Sequence, residues 1–97
     1  MKLTDNSLKE FLNLIDEDII IAVGLSYAFI GLTRCQGEIV AVYSTNLIVQ
    51  ELQKSDMMSL EDAEEYVQFN IVDAYVGKRT PLFIDFVPHE LITDELY

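Results

Sequence analysis

The 97-residue sequence has little of the chemistry on which most active sites depend. It contains one histidine, one cysteine and no tryptophan. A single cysteine, Cys35, excludes an internal disulfide, which is typical of a reducing compartment. The sequence shows no Ser-His-Asp spacing and no HxxxH or CxxC pattern. We therefore predict a protein that is not an enzyme, uses no cofactor and holds no metal.

Basic residues are also scarce. Six lysines and arginines stand against 17 aspartates and glutamates, so the formal net charge is −11 at pH 7. Such a chain repels nucleic acid and is attracted to basic surfaces. The acidity either keeps the protein soluble or directs it to a protein partner with a basic surface, and both interpretations stay open. Direct binding of nucleic acid is not expected.

Long apolar runs are missing as well. Ser26 and Arg34 interrupt the longest apolar stretch, which stays short of the roughly 18 residues that suggest a membrane span. The first residues lack the apolar run of a secretory signal. We expect a cytoplasmic protein, in the host cell if phage-encoded, without membrane contact. Hydrophobic residues make up 51% of the chain, enough for one domain over 1–97 and for a homodimer or higher oligomer through leftover apolar surface.

The most clearly marked element is a helix over residues 59–77. Ser59 and Asp62 have the spacing of an N-terminal capping box, and Gly77 is typical of a helix end. Its buried face is predicted from spacings of three and four: Leu60, Ala63, Val67, Asn70, Ile71 and Ala74. The amide of Asn70 is expected to hydrogen-bond a neighbouring loop or strand, or to contact a ligand.

The remaining patterns predict a small α+β fold. The elements are a helix over 5–15, an additional strand over 19–25, strands over 28–34 and 39–43, a helix over 45–54, a strand over 81–87 and a short helix over 89–97. The order α-β-β-α-α-β predicts a three-stranded, mainly antiparallel sheet with two to three helices on one face. A glycine-containing link at 35–38 predicts a hairpin. Gly31 predicts a bulge or a close backbone approach, and the prolines around 81–87 predict an edge strand or a short pairing.

The spacing of apolar residues also predicts which side chains of the shorter helices face inward. These are Leu8, Phe11, Leu12 and Ile15 in the first helix, then Leu47, Ile48 and Leu52 in the second. Met57 and Met58 are expected to fill gaps in the core, with adaptable binding as the alternative.

Two blocks of sequence carry a resemblance to a known family. The first block is Ala28-Phe29-Ile30-Gly31-Leu32 with Val42-Tyr43-Ser44. The second follows a Glu-Glu-Ala-x-Glu-Tyr-x-x-x-Asn-x-x-x-Ala-Tyr-Val-Gly-x-x-Thr-Pro-x-Phe pattern, matched at Glu61, Ala63, Glu65, Tyr66, Asn70, Ala74, Tyr75, Val76, Gly77, Thr80, Pro81 and Phe83.

On these residues, the stretch 28–84 resembles a family of short, uncharacterised proteins of tailed bacteriophages. The resemblance implies a phage or prophage origin and brings no known activity. Ser44 stands where the family has an aspartate, so any role of that aspartate is not carried over. Asp73 stands where a small or apolar residue is common.

Three of the six basic residues lie near predicted strand ends. Arg34, Lys78 and Arg79 either balance the acidic charge or bind an anionic ligand such as a nucleotide. The candidate residues for binding a ligand or partner are Arg34, Tyr43, Tyr66, Asn70, Tyr75, Lys78, Arg79 and Thr80.

Two functions follow as hypotheses. The first is a phage accessory protein that binds a host protein of defence or nucleic-acid processing, and inhibits or modulates it. The second is a protein that sequesters an anionic small molecule such as a nucleotide.

Overall fold

Three α-helices and three strands make up most of residues 3–72 and 77–85, the part of the chain that the computed structural model describes. They are α1 (Asp5–Asn13), β1 (Phe29–Cys35), β2 (Glu38–Ser44), α2 (Thr45–Ser55), α3 (Leu60–Val67) and β3 (Leu82–Ile84). A 3₁₀ helix, Ser26–Ala28, precedes β1, and a π-helical turn, Gln68–Val72, continues α3. The predicted α+β fold and its element order are confirmed, while the predicted helix over 89–97 lies outside the described residues.

The sheet has β2 at its centre and β1 and β3 at its edges. β1 pairs with β2 antiparallel, and the shorter β3 pairs with β2 parallel, with Tyr43 opposite Phe83. The sheet is therefore mixed, and its antiparallel half is the longer one. The short β3 is an edge strand, as its flanking prolines predict.

The predicted hairpin and bulge are both present in β1 and β2. Gln36 and Gly37 connect the strands with φ values of 52° and 83°. Positive φ at both positions is typical of a two-residue turn that matches the twist of the flanking strands. The register shifts between Phe29 and Gly31, which confirms the bulge.

The core lies between the three helices and one face of β2. Ala41 and Tyr43 are two residues apart and so share that face. The buried cluster consists of Leu8, Leu12, Ile19, Ala28, Ala41, Tyr43, Ile48 and Val67. Val40 and Val42, on the opposite face, are buried too, so β2 is covered on both sides. A strand buried on both faces reads as a continuous apolar run, as residues 39–43 do.

Several apolar side chains predicted to face inward lie on the surface instead. The exposed fractions are 58% for Phe11, 48% for Ile15, 37% for Leu47, 88% for Met57 and 53% for Leu60. Because α1 buries only the narrow stripe of Leu8 and Leu12 and ends before Ile15, its predicted face is too wide. Leu60 is the first residue of α3, at the helix end, while Ala63 and Val67 are buried as predicted.

The predicted long helix is confirmed from Leu60 to Val72, with a change to π-helical geometry at Gln68. Ser59 is its N-cap and accepts a hydrogen bond from the backbone N–H of Asp62 at 3.1 Å. Residues 73–76, including Ala74 and Tyr75, lie outside the described residues. Gly77 has a φ of 117°, in the left-handed region that favours glycine.

The predicted additional strand over 19–25 is wrong, because this segment is a loop. Two of its backbone N–H groups donate to side chains, and others bond to nearby loop carbonyls. The N–H of Ala22 donates to the hydroxyl of Tyr43 at 2.9 Å, and the N–H of Gly24 donates to Asp5 at 2.8 Å. Ser26 also donates its hydroxyl to Asp5. Ile19 is buried in the core cluster, so its β-branched side chain serves packing and not strand pairing.

Replacing Tyr43 by phenylalanine tests how much the loop depends on this hydroxyl. The change leaves the N–H of Ala22 without its acceptor, so the free energy of unfolding should fall by about 1–2 kcal/mol. Urea denaturation would measure it. Tyr66→Phe, at an exposed position, is the matched control and should stay within about 0.5 kcal/mol of the wild type. Equal stability of both variants would show that the loop does not need the hydroxyl.

The carboxylate of Asp5 makes a second, pH-dependent contribution to the same loop. Hydrogen bonds from the Ser26 hydroxyl and the Gly24 N–H hold the pKa of Asp5 below its ordinary value of 3.8. A lowered pKa in the folded state stabilises the protein above the unfolded-state value, and this contribution is lost as the pH falls through the folded-state value. In Asp5→Asn, the free energy of unfolding should therefore fall less steeply below about pH 4 than in the wild type.

Chemical denaturation at a series of pH values would measure this slope. Ser26→Ala removes the first donor and keeps the carboxyl group, so it should flatten the slope as well. Parallel curves for the wild type and both variants would contradict the role given to Asp5.

Candidate functional site

The structure disperses the candidate residues chosen from the sequence. Tyr43 is fully buried, with its ring 5.5 Å from that of Phe83 and 5.8 Å from that of Phe29. It is a core residue and presents no surface to a partner.

Tyr66 and Asn70 are exposed one turn apart, and the side-chain amide of Asn70 donates to the backbone oxygen of Tyr66 at 3.1 Å. Asn70 thus bonds its own helix, and the expectation of a buried amide facing a neighbouring loop or strand is wrong. Tyr75 lies outside the described residues.

The sheet topology also separates the basic residues that were candidates for binding an anion. Arg34 is exposed on β1, whereas Lys78 and Arg79 precede β3. Because β1 and β3 flank β2 on opposite sides, the strand that follows Lys78 and Arg79 does not pair with the strand that carries Arg34. Lys78 is exposed, and Thr80 donates its hydroxyl to the backbone oxygen of Gly77 at 2.5 Å within the turn.

Arg79 is engaged by two carboxylates of its own chain. Its Nη1 lies 2.9 Å from Oδ2 of Asp16, and its Nη2 lies 2.6 Å from Oε2 of Glu38. The hydrogen bond to Asp16 raises the pKa of Arg79 above its ordinary value. The pKa of Asp16 is lowered, first by the backbone N–H of Asp18 and then by Arg79. Arg79 therefore joins the loop after α1, the start of β2 and the segment before β3, and its charge is balanced within the fold.

A groove of about 900 Å³ lies between α2, α3 and the end of β3. On α2, its lining residues are Asn46, Val49, Gln50 and Gln53, at positions i, i+3, i+4 and i+7 of one helical face. We call it the α2–α3 groove. Since one regular face of α2 lines it, the groove runs along the helix and not across its end.

The α3 side of the groove is equally regular. Two adjacent rows line it, Leu60-Glu64-Gln68 and Glu61-Glu65-Phe69, each with a spacing of four residues. Phe69 belongs to the π-helical turn and is 70% exposed. π-Helical turns are rare among all protein helices, and those that occur are often found at functional sites.

The end of β3 closes the groove against α2. Phe83 and Asp85 line it there. The hydroxyl of Thr45, at the start of α2, donates to the carboxylate of Asp85 and lies 3.1 Å from the backbone oxygen of Ile84. These bonds hold the edge strand to the helix and give the groove a defined end.

The two walls of the groove differ in charge. The α3 wall carries Glu61, Glu64 and Glu65, whereas the α2 wall carries the neutral amides of Asn46, Gln50 and Gln53. Among the described lining residues there is no lysine or arginine. Buried Val67 and half-buried Phe83 supply apolar surface between the walls, and Leu60 and Phe69 add exposed apolar surface. The groove is therefore suited to a cationic and partly apolar ligand, and it disfavours an anion.

Sequence reasoning missed this groove because it arises from the packing of α2 against α3. Two signals were present in the sequence: amides at 46, 50 and 53, and glutamates at 61, 64 and 65. Neither signal reveals that the two faces meet.

Within 3–72 and 77–85, no group of three or more His, Cys, Asp or Glu side chains is placed to hold a metal ion. Over the same residues, every helix lacks either the length or the apolar character needed to cross a bilayer.

Comparisons of the chain with protein-family models, with curated proteins and with solved structures found no match. The resemblance to the tailed-phage family therefore stays a prediction from the sequence blocks.

Arg79→Gln should lower the melting temperature, because it leaves Asp16 and Glu38 without the cation that lies between them. Lys78→Gln, a neighbouring exposed cation, is the control and should melt as the wild type does. The difference in melting temperature between Arg79→Gln and the wild type should shrink in about 1 M salt, where charge interactions are screened within about 3 Å.

Thermal-shift measurements with and without ATP on the same proteins complete this test. Because Arg79 is engaged, ATP should not raise the melting temperature of the wild type. A rise with ATP that Arg79→Gln abolishes would show that Arg79 binds anions instead.

Proposed function

We propose that the protein is a small acidic accessory protein of a phage or prophage. It binds the basic surface of a host protein and thereby inhibits or modulates that protein. The observation that supports this most is the acidic wall of the α2–α3 groove beside exposed apolar side chains. Such a combination offers a partner both charge attraction and apolar contact, and protein interfaces depend on both.

The net charge of −11 supports the same proposal at longer range. A strongly acidic protein approaches basic surfaces faster than a neutral one, and this advantage falls with ionic strength. Proteins that process nucleic acid carry basic faces, so they form the class of host proteins that this charge favours. The chain would compete with nucleic acid for such a face.

The alternative function, sequestration of an anionic small molecule, has less support. Arg79 is held by Asp16 and Glu38, and the groove presents carboxylates to anything that enters it.

Affinity capture from bacterial lysate tests the proposal. The immobilised protein should retain a basic protein from nuclease-treated lysate at about 50 mM salt and release it at about 500 mM, where screening is strong. Mass spectrometry would identify the retained protein, and its own activity would then be measured with and without added chain. The control is an unrelated acidic protein of similar size and charge.

Two results would contradict the proposal. One is that the acidic control retains the same proteins, since the binding would then reflect charge alone. The other is that the retained protein works equally well with the chain bound.

A further inference from the structure

We propose that the α2–α3 groove binds a cationic amphipathic helix of the partner, lying lengthwise between α2 and α3. This inference deepens the proposed function, on which it rests, by assigning the surface and the form of the ligand. The argument combines the shape of the groove, its charge and its apolar surface.

The shape of the groove suits a rod. Its lining on α2 spans positions 46–53, and its lining on α3 and the π-helical turn spans 60–69. At about 1.5 Å per residue, these walls are roughly 11–14 Å long, or two to three helical turns. Two helices side by side form a groove into which a third helix can pack, and amphipathic helices are recognised in this way.

The chemistry of the groove defines the faces of that helix. One apolar stripe would contact Phe69 and Phe83, with Val67 beneath them. Lysines or arginines on one flank would meet Glu61 and Glu65. The other flank would meet neutral amides of α2, so the ligand needs its positive charge on one side only.

Other occupants fit the groove less well. A second copy of this chain carries a net charge of −11 and would bring like charge to the acidic wall. A small cation would satisfy the carboxylates but leave Phe69 exposed along with most of the groove. A cationic amphipathic helix satisfies the charge and the apolar surface together.

The probe is a lysine- and leucine-containing peptide of about 14 residues that forms an amphipathic helix. Fluorescence anisotropy would measure its affinity for the full chain, and circular dichroism its gain of helix on binding. A peptide of the same composition, scrambled so that its leucines lie on all sides, should bind at least tenfold more weakly. Equal binding of the two peptides would overturn the inference, since the chain would then recognise charge alone.

Matched variants locate the binding surface. Phe69→Ala should weaken binding about tenfold, as truncation of an aromatic contact residue often does. Phe11→Ala removes an exposed aromatic residue of α1 outside the groove and should leave the affinity within about twofold. Glu61→Gln with Glu65→Gln should weaken binding about fivefold, whereas Glu10→Gln with Glu17→Gln removes the same charge elsewhere and should change it less than twofold.

Backbone amide chemical shifts give a readout that does not depend on the variants. Addition of the peptide should shift the resonances of Gln50, Gln53, Glu65 and Phe69. Shifts confined to α1 would overturn the inference.

The groove assignment and the proposed function can fail independently of each other. If lysate capture succeeds while the peptide binds the groove variants as tightly as the wild type, the groove assignment fails and the proposed function stands. If the peptide binds as expected while no host protein is modulated, the groove assignment stands and the proposed function fails.

Discussion

Tyr43 holds together β1, β3 and the loop after α1. Its ring lies between Phe29 of β1 and Phe83 of β3, and its hydroxyl accepts the backbone N–H of Ala22 in the loop after α1. It is fully buried, at the centre of the cluster to which all three helices contribute. Burial raises the pKa of its hydroxyl, which stays protonated at neutral pH. Edge strands, loop and helices are thus positioned around one residue of the central strand.

The sequence predicts the parts of this fold that depend on local chemistry. Capping by Ser59, the hairpin turn at Gln36-Gly37 and the bulge at Gly31 each follow from residues within a few positions of one another. The failures come from tertiary contacts. Residues 19–25 have the composition of a strand, but Asp5 and Tyr43 supply partners for their backbone that no local pattern reveals.

The candidate site shows the same division more clearly. Composition indicates acidic charge, and helical periodicity places Glu61 and Glu65 on one face of α3. Their role in a groove depends on where α2 lies, which is set by Ile48 and Val67 in the shared core. Arg79 is the opposite case. A cation near a strand end resembles an anion site in the sequence, but the fold brings Asp16 and Glu38 to it, so carboxylates of its own chain balance its charge.

The acidic wall of the groove has a cost within the isolated protein that a cationic partner would remove. Glu61 lies in the first turn of α3, where the helix dipole favours a negative charge. Glu65 lies one turn further on, where that benefit fades, and it faces the like charge of Glu61 at a spacing that destabilises a helix by about 0.2–0.5 kcal/mol. A lysine or arginine placed between the two would convert this repulsion into attraction. Binding a basic helix and stabilising α3 would then be the same electrostatic event, which gives the acidic face of α3 a physical reason to favour a partner over solvent.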